Sequence, residues 1–365
     1  MEHIKRINSR QFLTIFLIAV FSPAVVFLPT VAAKIAHQAA WVSVLCSVIP
    51  MILFVLILSA LMIKHNGKNL AQINILIFGK YLGVFINALY LVWIMILTAL
   101  YLRYFAERML STILPDTSMY LVIISFVIIA GIVAENGFLS FARLSKILFY
   151  FFIGLFLIVT IYAAVAKGNI ENILPVSRLD AGPVALGVFP VLAMWFGITY
   201  LMFCGENLET KGLRKDMIFI SIAVTVISLL IVFATIGILG FEASDKIEMA
   251  FAKAVKYFKA ADPFRLMDAA FFSMWIFADF VIVTLYTHAS TNICASAANV
   301  RDRHKNWIVY GILIIVTLIS FLLWKNSEEL KSFSENWYFV NFAFGLFPVV
   351  TFVVGKIKEQ VTGNK

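Results

Sequence analysis

The sequence predicts an all-helical membrane protein with about ten transmembrane helices, and two observations support this prediction. Hydrophobic residues make up 62% of the 365 residues and charged residues only 13%, whereas a soluble domain carries about 25% charged residues. The hydrophobic residues also fall in runs of roughly 20, the length that a helix needs to cross the hydrocarbon core of a bilayer. Lipid must therefore cover much of the chain.

Ten apolar runs define the predicted spans. In lipid a run of this length is predicted to be helical, because a helix satisfies its own backbone hydrogen bonds. The runs lie near residues 11–33, 38–63, 81–110, 118–134, 147–166, 183–204, 216–240, 266–293, 306–324 and 336–355. Because no long polar stretch separates them, we expect one transmembrane domain over 1–365, with a first half at about 11–166 and a second half at about 183–355.

The charge pattern predicts orientation rather than a polyanionic partner. The formal net charge is +9, but the basic residues lie in short gaps between apolar runs and not in one basic patch, so we expect no nucleic acid as a partner. The two ends of the chain and alternate gaps hold the larger share of Lys and Arg. The positive-inside rule then predicts that both termini are cytoplasmic.

The longest polar gap, at about 241–265, has an amphipathic pattern. Ile247, Phe251, Val255 and Phe258 recur at helical spacing with lysines between them. This pattern predicts a short extracytoplasmic helix that rests on membrane lipid headgroups, with a moving lid as the alternative.

Spans one and six contain residues that interrupt helices. Span one contains Ser22, Pro23 and then Pro29, and span six contains Pro183, Pro190 and Gly197. Proline removes a backbone donor, and irregular backbone at membrane depth is tolerated only beside protein or a wet cavity. In a five-plus-five repeat these spans correspond, and paired interruptions indicate a midplane site for a small anion or zwitterion. The alternative is that the prolines only kink packed helices, and no sequence repeat between the halves is visible.

Short motifs along nearly the whole chain indicate a family. They are Ile7-Asn8-Ser9-Arg10-Gln11, Phe27-Leu28-Pro29, Gln38-Ala39-Ala40-Trp41, Arg103 with Glu107, Asn172-Ile173-Leu174-Pro175-Val176, Gly182-Pro183, Trp275 and Phe347-Pro348. In order and spacing the chain resembles the B subunits of Ger-type spore germinant receptors, the spore germination permease family of the amino acid–polyamine–organocation superfamily. It departs from the family pattern at Ser22-Pro23-Ala24, where a Gly-rich break is usual, and at Ala39 and Thr199, where acidic residues are common.

The resemblance implies a LeuT-like five-plus-five inverted repeat with broken first and sixth helices. It also implies a nutrient-sensing subunit, with an amino acid as the expected nutrient, that triggers germination from the inner membrane of the spore. The implied partners are a receptor A subunit, a lipoprotein C subunit and membrane lipid, and no cofactor is implied. The alternatives are a secondary amino acid transporter of the same fold and a structural subunit whose pocket has decayed.

By the resemblance, the two breaks and the middles of spans three and eight line the ligand pocket. The implied lining residues are Ser22, Pro23, Ala24, Leu97, Tyr101, Phe196, Gly197, Thr199 and Ile282. Leu97, Phe196 and Ile282 would set the size of the side chain that fits, and such a lining favours a small or apolar one. For each apolar residue taken singly, ordinary helix packing is the alternative.

Ionisable residues inside spans are further candidates, because they are costly in a bilayer. Asp279 in span eight could couple ions or protons, receive a ligand's amine, or accept a structural hydrogen bond. Arg103 and Glu107 are one turn apart, which predicts a structural or gating ion pair. No motif of an enzyme is present, and the scattered histidines and cysteines predict no metal site.

Overall fold

The computed structural model describes residues 6–174, 176–177, 180–247, 249–256, 265–300 and 304–363. Most of these residues lie in α-helices. The helices are α1 Ser9–Val26, α2 Leu28–Ala36, α3 Ala40–Cys46, α4 Val48–Lys64, α5 Leu70–Phe78, α6 Lys80–Thr112, α7 Met119–Glu135, α8 Phe138–Lys167, α9 Ala181–Trp195, α10 Ile198–Leu201, α11 Leu213–Leu239, α12 Phe241–Ser244, α13 Ala250–Lys256, α14 Arg265–Ala298, α15 Lys305–Leu322 and α16 Ser327–Gly363.

The prediction of about ten spans is confirmed. Nine helical segments in the described residues are long and apolar enough to cross a membrane. The helix α7 is apolar but slightly shorter, at 17 residues, and supplies the tenth span. Three spans consist of more than one helix: α1 and α2 form span one, α3 and α4 form span two, and α9 and α10 belong to span six.

The centre of the bundle is formed by α1, α6 and α14. The helix α14 packs along both α6 and α1, while α8 and α11 cover other sides of α1. Almost every residue of α1 is buried, as expected for a helix that is apolar on all sides. By contrast, large apolar side chains of α7, α8 and α15 are exposed. Those outer surfaces match the lipid contact that the composition predicts.

The first and last described residues lie at one end of the bundle, which we call the terminal end. The amide of Ile7 donates to the Asn207 carbonyl at 2.8 Å, and the Ile7 carbonyl accepts from the amide of Glu209 at 2.9 Å. Near the other terminus, Lys64 pairs with Glu359, and α16 packs against α5. Because α5 also packs against the 3-10 turn at Met202–Asn207, the two ends of the chain share this face.

The helix α5 lies in a stretch that sequence reasoning left as a polar gap. Its start is fixed by a capping box, in which the Asn69 side chain accepts from the Gln72 amide at 3.0 Å and the Gln72 side chain accepts from the Asn69 amide at 3.1 Å. Asn three residues before Gln, followed by an apolar run, is the sequence signal of such a box. This signal could have predicted α5.

The amphipathic helix predicted between 241 and 265 is present as α13, but its position differs from the expectation. Phe251 and Val255 are buried, and α13 packs against α1, α8 and α11. Its apolar face is therefore covered by the bundle rather than left for lipid headgroups, while Lys253 on the opposite face is exposed. Phe258, the fourth residue of the predicted pattern, lies outside the described residues.

Candidate functional site

Span one is divided, as predicted, but the division lies at Phe27 and not at Ser22-Pro23-Ala24. The helix α1 continues through Pro23, whose carbonyl accepts from the Phe27 amide at 2.9 Å. Because Pro23 has no N–H group, α1 loses only the one hydrogen bond that this group would have donated. The next helix, α2, begins at Leu28 with Pro29 in its first turn, where a missing donor is tolerated. The Pro23 carbonyl is therefore not free for a ligand.

The division of span six lies where the sequence predicts it. The helix α9 ends at Trp195, Phe196 and Gly197 form a turn, and α10 begins at Ile198. The Gly197 amide donates to the Met194 carbonyl at 3.2 Å. A side chain at Gly197 would place its Cβ 3.0 Å from that carbonyl oxygen. This distance is shorter than an ordinary van der Waals contact, so a larger residue here would require a small shift of the turn.

Two of the predicted lining residues, Phe196 and Thr199, contact α16. The Phe196 ring lies 4.3 Å from Phe54 and 5.3 Å from Phe342, measured between ring centroids. The Thr199 hydroxyl donates to the Gly345 carbonyl at 2.7 Å. Both side chains are thus engaged between α4, α9–α10 and α16. This arrangement matches the alternative of ordinary helix packing for Phe196 and leaves the Thr199 hydroxyl satisfied.

The predicted lining residues of spans three and eight meet at the centre of the bundle. Leu97, Tyr101 and Ile282 are buried where α6 packs against α14. The Tyr101 ring lies 6.1 Å from Tyr286, one turn beyond Ile282, and Tyr286 lies 5.5 Å from the Tyr200 ring of α10. These tyrosines connect spans three, six and eight. Of the predicted lining in these two spans, Tyr101 is thus connected through Tyr286 to the helix that follows the second break.

A buried charged cluster joins the three central helices. It consists of Ser22 on α1, Arg108 on α6, and Trp275 and Asp279 on α14. Asp279 forms an ion pair with Arg108, and its other carboxylate oxygen accepts from the Ser22 hydroxyl at 2.5 Å. The Trp275 indole donates to the Ser22 oxygen at 3.3 Å. Asp279 is 0% exposed and Arg108 is 6% exposed, so the cluster is inside the bundle.

Arg108 is the residue that sequence reasoning missed. The sequence-based pair, Arg103 and Glu107, is present with a distance of 3.2 Å from Nε to Oε1, and Glu107 also accepts from the Ser327 hydroxyl at 3.1 Å. Arg108 follows Glu107 directly but points to a different side of α6, onto Asp279. Span three contains a second cation, Arg108, and Asp279 in span eight has no partner of opposite charge within its own span. Together these two features were the signal in the sequence for a pair between the spans.

A neutral cluster holds the second break in place. It consists of Trp93, Tyr200 and Asn341. Asn341 accepts from the Tyr200 hydroxyl at 2.6 Å and from the Trp93 indole at 3.2 Å, and its side-chain amide donates to the Ala193 carbonyl at 2.5 Å. Since Ala193 lies in α9 and Tyr200 in α10, Asn341 on α16 connects both sides of the turn at Phe196–Gly197.

A cavity of about 550 Å³ lies beside the first break, at the end of the bundle opposite the terminal end. Its lining residues are Val26, Phe27, Thr30, Val31, Lys34, Ile35, Asp245, Lys246, Lys331, Ser334, Asn336 and Tyr338. At its inner side the Phe27 ring contacts the rings of Tyr104 and Trp337, with distances between ring centroids of 5.4 Å and 5.5 Å. Small-molecule sites occupy about 300–1,000 Å³, so the cavity is large enough for a small ligand.

Groups of three or more side chains that could hold a metal ion do not occur among the described residues. Among the charged side chains that are buried in the described part of the molecule, Arg108 and Asp279 are in direct contact with each other.

These features define an integral membrane protein with a transporter-like helical bundle. The fold is similar to that of a crystal structure of MhsT in complex with L-phenylalanine, with a TM-score of 0.66 and 13% sequence identity over 94% of this chain and 88% of that chain. This similarity confirms the predicted LeuT-like architecture.

The sequence comparisons identify the family. A model of the family described as spore germination protein matches residues 6–329, and the chain belongs to this family. It is 22% identical over 366 residues to spore germination protein KB of Bacillus subtilis (strain 168), covering 97% of this chain and 96% of that protein. It is 18% identical over 328 residues to spore germination protein A2 of the same organism, covering 88% and 87%.

Proposed function

We propose that this chain is the nutrient-sensing subunit of a spore germinant receptor and that its nutrient is an amino acid. The family match over residues 6–329 carries the proposal, and both relatives bear germination in their names. The ligand class is supported by MhsT, a protein of similar fold whose crystal structure contains L-phenylalanine. The more specific part of the proposal, that the chain senses an amino acid, rests on the residues and geometry of the candidate site.

In this proposal the nutrient enters from the cavity at the first break and binds where α1, α6 and α14 meet. Ser22, Pro23 and Ala24 of α1, with Leu97, Tyr101, Gly197 and Ile282, would surround it. Phe196 and Thr199 would act indirectly, because their side chains hold the second break against α16. A ligand changes a conformational equilibrium only if it binds one state more tightly than the other. The broken spans are the elements expected to differ between the two states.

The receptor assembly belongs to the same proposal. The chain would work in the inner membrane of the spore with both termini cytoplasmic, beside a receptor A subunit and a lipoprotein C subunit that read its conformation. No catalytic role is assigned to it, since the family and the fold are those of a permease or receptor.

A germination assay tests the sensing role. Spores that lack the gene should lose their response to at least one amino acid, and the intact gene should restore it. Restoration with Ile282→Trp should need at least about tenfold more amino acid, because the larger ring fills space at the α6–α14 contact. Leu322→Trp, on an exposed side chain of α15, is the matched control and should restore the normal response. A normal response in spores without the gene would contradict the proposal.

A secondary transporter of the same fold is the second candidate, favoured by the buried charges of Asp279 and Arg108 within spans. Liposomes that contain the purified full-length chain separate the two. Binding of an amino acid without accumulation of the labelled compound inside the liposomes supports the sensor. Uptake above the external concentration, driven by an ion or proton gradient, supports the transporter.

A further inference from the structure

The Arg108 guanidinium has hydrogen-bonding capacity that the protein leaves unused. A guanidinium carries five N–H donors and binds a carboxylate best through two parallel bonds. Here Asp279 contacts one terminal nitrogen, Nη2, while its second oxygen is occupied by Ser22. The other terminal nitrogen, Nη1, is buried and has no hydrogen-bond partner among the described residues. One face of the guanidinium is covered by Trp275, 4.0 Å from the ring centroid.

This arrangement is poorly explained by stability alone. A buried ion pair repays the loss of hydration only if its geometry is good and the remaining donors are satisfied. The Arg108–Asp279 pair leaves Nη1 unsatisfied, so an apolar pair of similar volume would be expected to stabilise the bundle at least as well. Ionisable groups that persist inside a membrane protein are functional candidates for this reason.

The cavity at the first break lies close to the cluster along two helices. Val26 and Phe27 line the cavity, and Ser22 lies one helical turn before Val26, about 6 Å along α1. The Phe27 ring contacts Tyr104, which lies one turn before Arg108 on α6. The cavity and the cluster are therefore about one helical turn apart along α1, and Phe27 contacts the turn of α6 that precedes Arg108.

We propose that Arg108 is the binding group for the carboxylate of a zwitterionic amino acid, and that Asp279 takes the place of this carboxylate in the ligand-free protein. When the ligand binds, its carboxylate forms the two-bond contact with Arg108 that Asp279 does not make. Asp279 stays bonded to Ser22 and accepts the ligand's ammonium group. This inference rests on the proposed amino acid binding and adds the chemical basis of recognition at the same site.

The charge balance selects the ligand class. One arginine, one aspartate and a zwitterion sum to zero, so the exchange leaves no unpaired charge in the interior and requires no accompanying ion or proton. An amino acid amide lacks the carboxylate and would add one net positive charge to the buried site. Burying an unpaired charge is strongly unfavourable, so amides should be rejected.

Binding to the purified full-length chain tests the exchange. The twenty standard amino acids are screened by calorimetry, and each amino acid that binds is compared with its carboxamide. The variants are Arg108→Met/Asp279→Leu, which removes both charges and so avoids the destabilising single unpaired charge, and Arg108→Lys, which keeps the charge but not the two-bond geometry. Lys305→Met, which breaks the ion pair with Glu206 at the terminal end, is the control.

The expected result is at least hundredfold weaker binding of carboxamides than of amino acids to the wild-type chain. The double variant should bind amino acids at least tenfold more weakly than the wild type. The affinity of Arg108→Lys should lie between those of the wild type and the double variant, and Lys305→Met should bind as tightly as the wild type. If the wild type binds no amino acid, the proposed function itself fails. If the wild type binds amino acids but the double variant binds them equally well, or carboxamides bind as tightly, only the role of Arg108 and Asp279 is overturned.

Discussion

The two polar clusters of the interior differ in how completely their hydrogen bonds are satisfied. The neutral cluster of Trp93, Tyr200 and Asn341 uses its donors and acceptors on each other and on the backbone at the second break. The charged cluster, about one helical turn before the first break, contains a formal ion pair and a donor, Arg108 Nη1, that has no hydrogen-bond partner among the described residues. A satisfied network fixes one structure, whereas an unsatisfied charged one can exchange partners. The second break is thus expected to be rigid and the first to respond to ligand.

The largest expected effect comes from breaking the ion pair of the charged cluster. Arg108→Met leaves Asp279 buried without its cation and should lower the free energy of unfolding by about 3–5 kcal/mol. Adding Asp279→Leu should recover most of this loss, because both charges are then gone. Thermal unfolding of the purified chain in detergent measures both variants. A double variant no more stable than Arg108→Met would show that the loss of stability does not come from the unpaired carboxylate of Asp279.

The next largest loss of stability is expected from a substitution in the neutral cluster. Asn341→Leu removes one hydrogen bond each from Tyr200, Trp93 and the Ala193 carbonyl, with an expected loss of about 2–3 kcal/mol in the free energy of unfolding. The same measurement applies, with Asn306→Leu at an exposed position of α15 as the control. If both substitutions had equal effects, the proposed rigidity of the second break would lack support.

A smaller loss is expected where α16 approaches the second break. A Cβ at Gly345 would lie 2.5 Å from the Phe196 Cβ and 3.3 Å from its carbonyl, so Gly345→Ala should cost about 1–2 kcal/mol through forced displacement. Gly311→Ala on α15 is the matched control, since its Cβ would meet nothing within 4 Å. Germination assays of the two variants would then show whether loosening this contact also alters nutrient response.

The smallest effect should lie at the terminal end. Lys305 and Glu206 form an ion pair, with 3.1 Å between Lys305 Nζ and Glu206 Oε1, and their side chains are 23% and 24% exposed. Lys305→Met should therefore change stability by less than about 1 kcal/mol. Raising the salt concentration should reduce the effect further, because ions screen a pair that solvent reaches. A loss as large as that of Arg108→Met would contradict the distinction between buried and solvent-reached charges.

The spans were predictable because each consists of one long apolar run, and lipid leaves such a run little choice but a helix. The break at Phe196–Gly197 was predictable because glycine and proline act locally. The break in span one was displaced to Phe27, since a single proline removes one hydrogen bond and the neighbouring helices decide whether the helix continues. The helix α13 was predicted from its period, but periodicity does not distinguish a lipid surface from a protein surface as the partner of its apolar face.

The sequence by itself determined the number of spans, the break of span six and the i,i+4 pair of Arg103 and Glu107, because each depends on contacts close along the chain. Only the tertiary structure decided that Asp279 faces Arg108, 171 residues away, and that Asn341 reaches Ala193 across 148 residues. Such pairings depend on how rigid helices pack against each other. No local property of the chain encodes them.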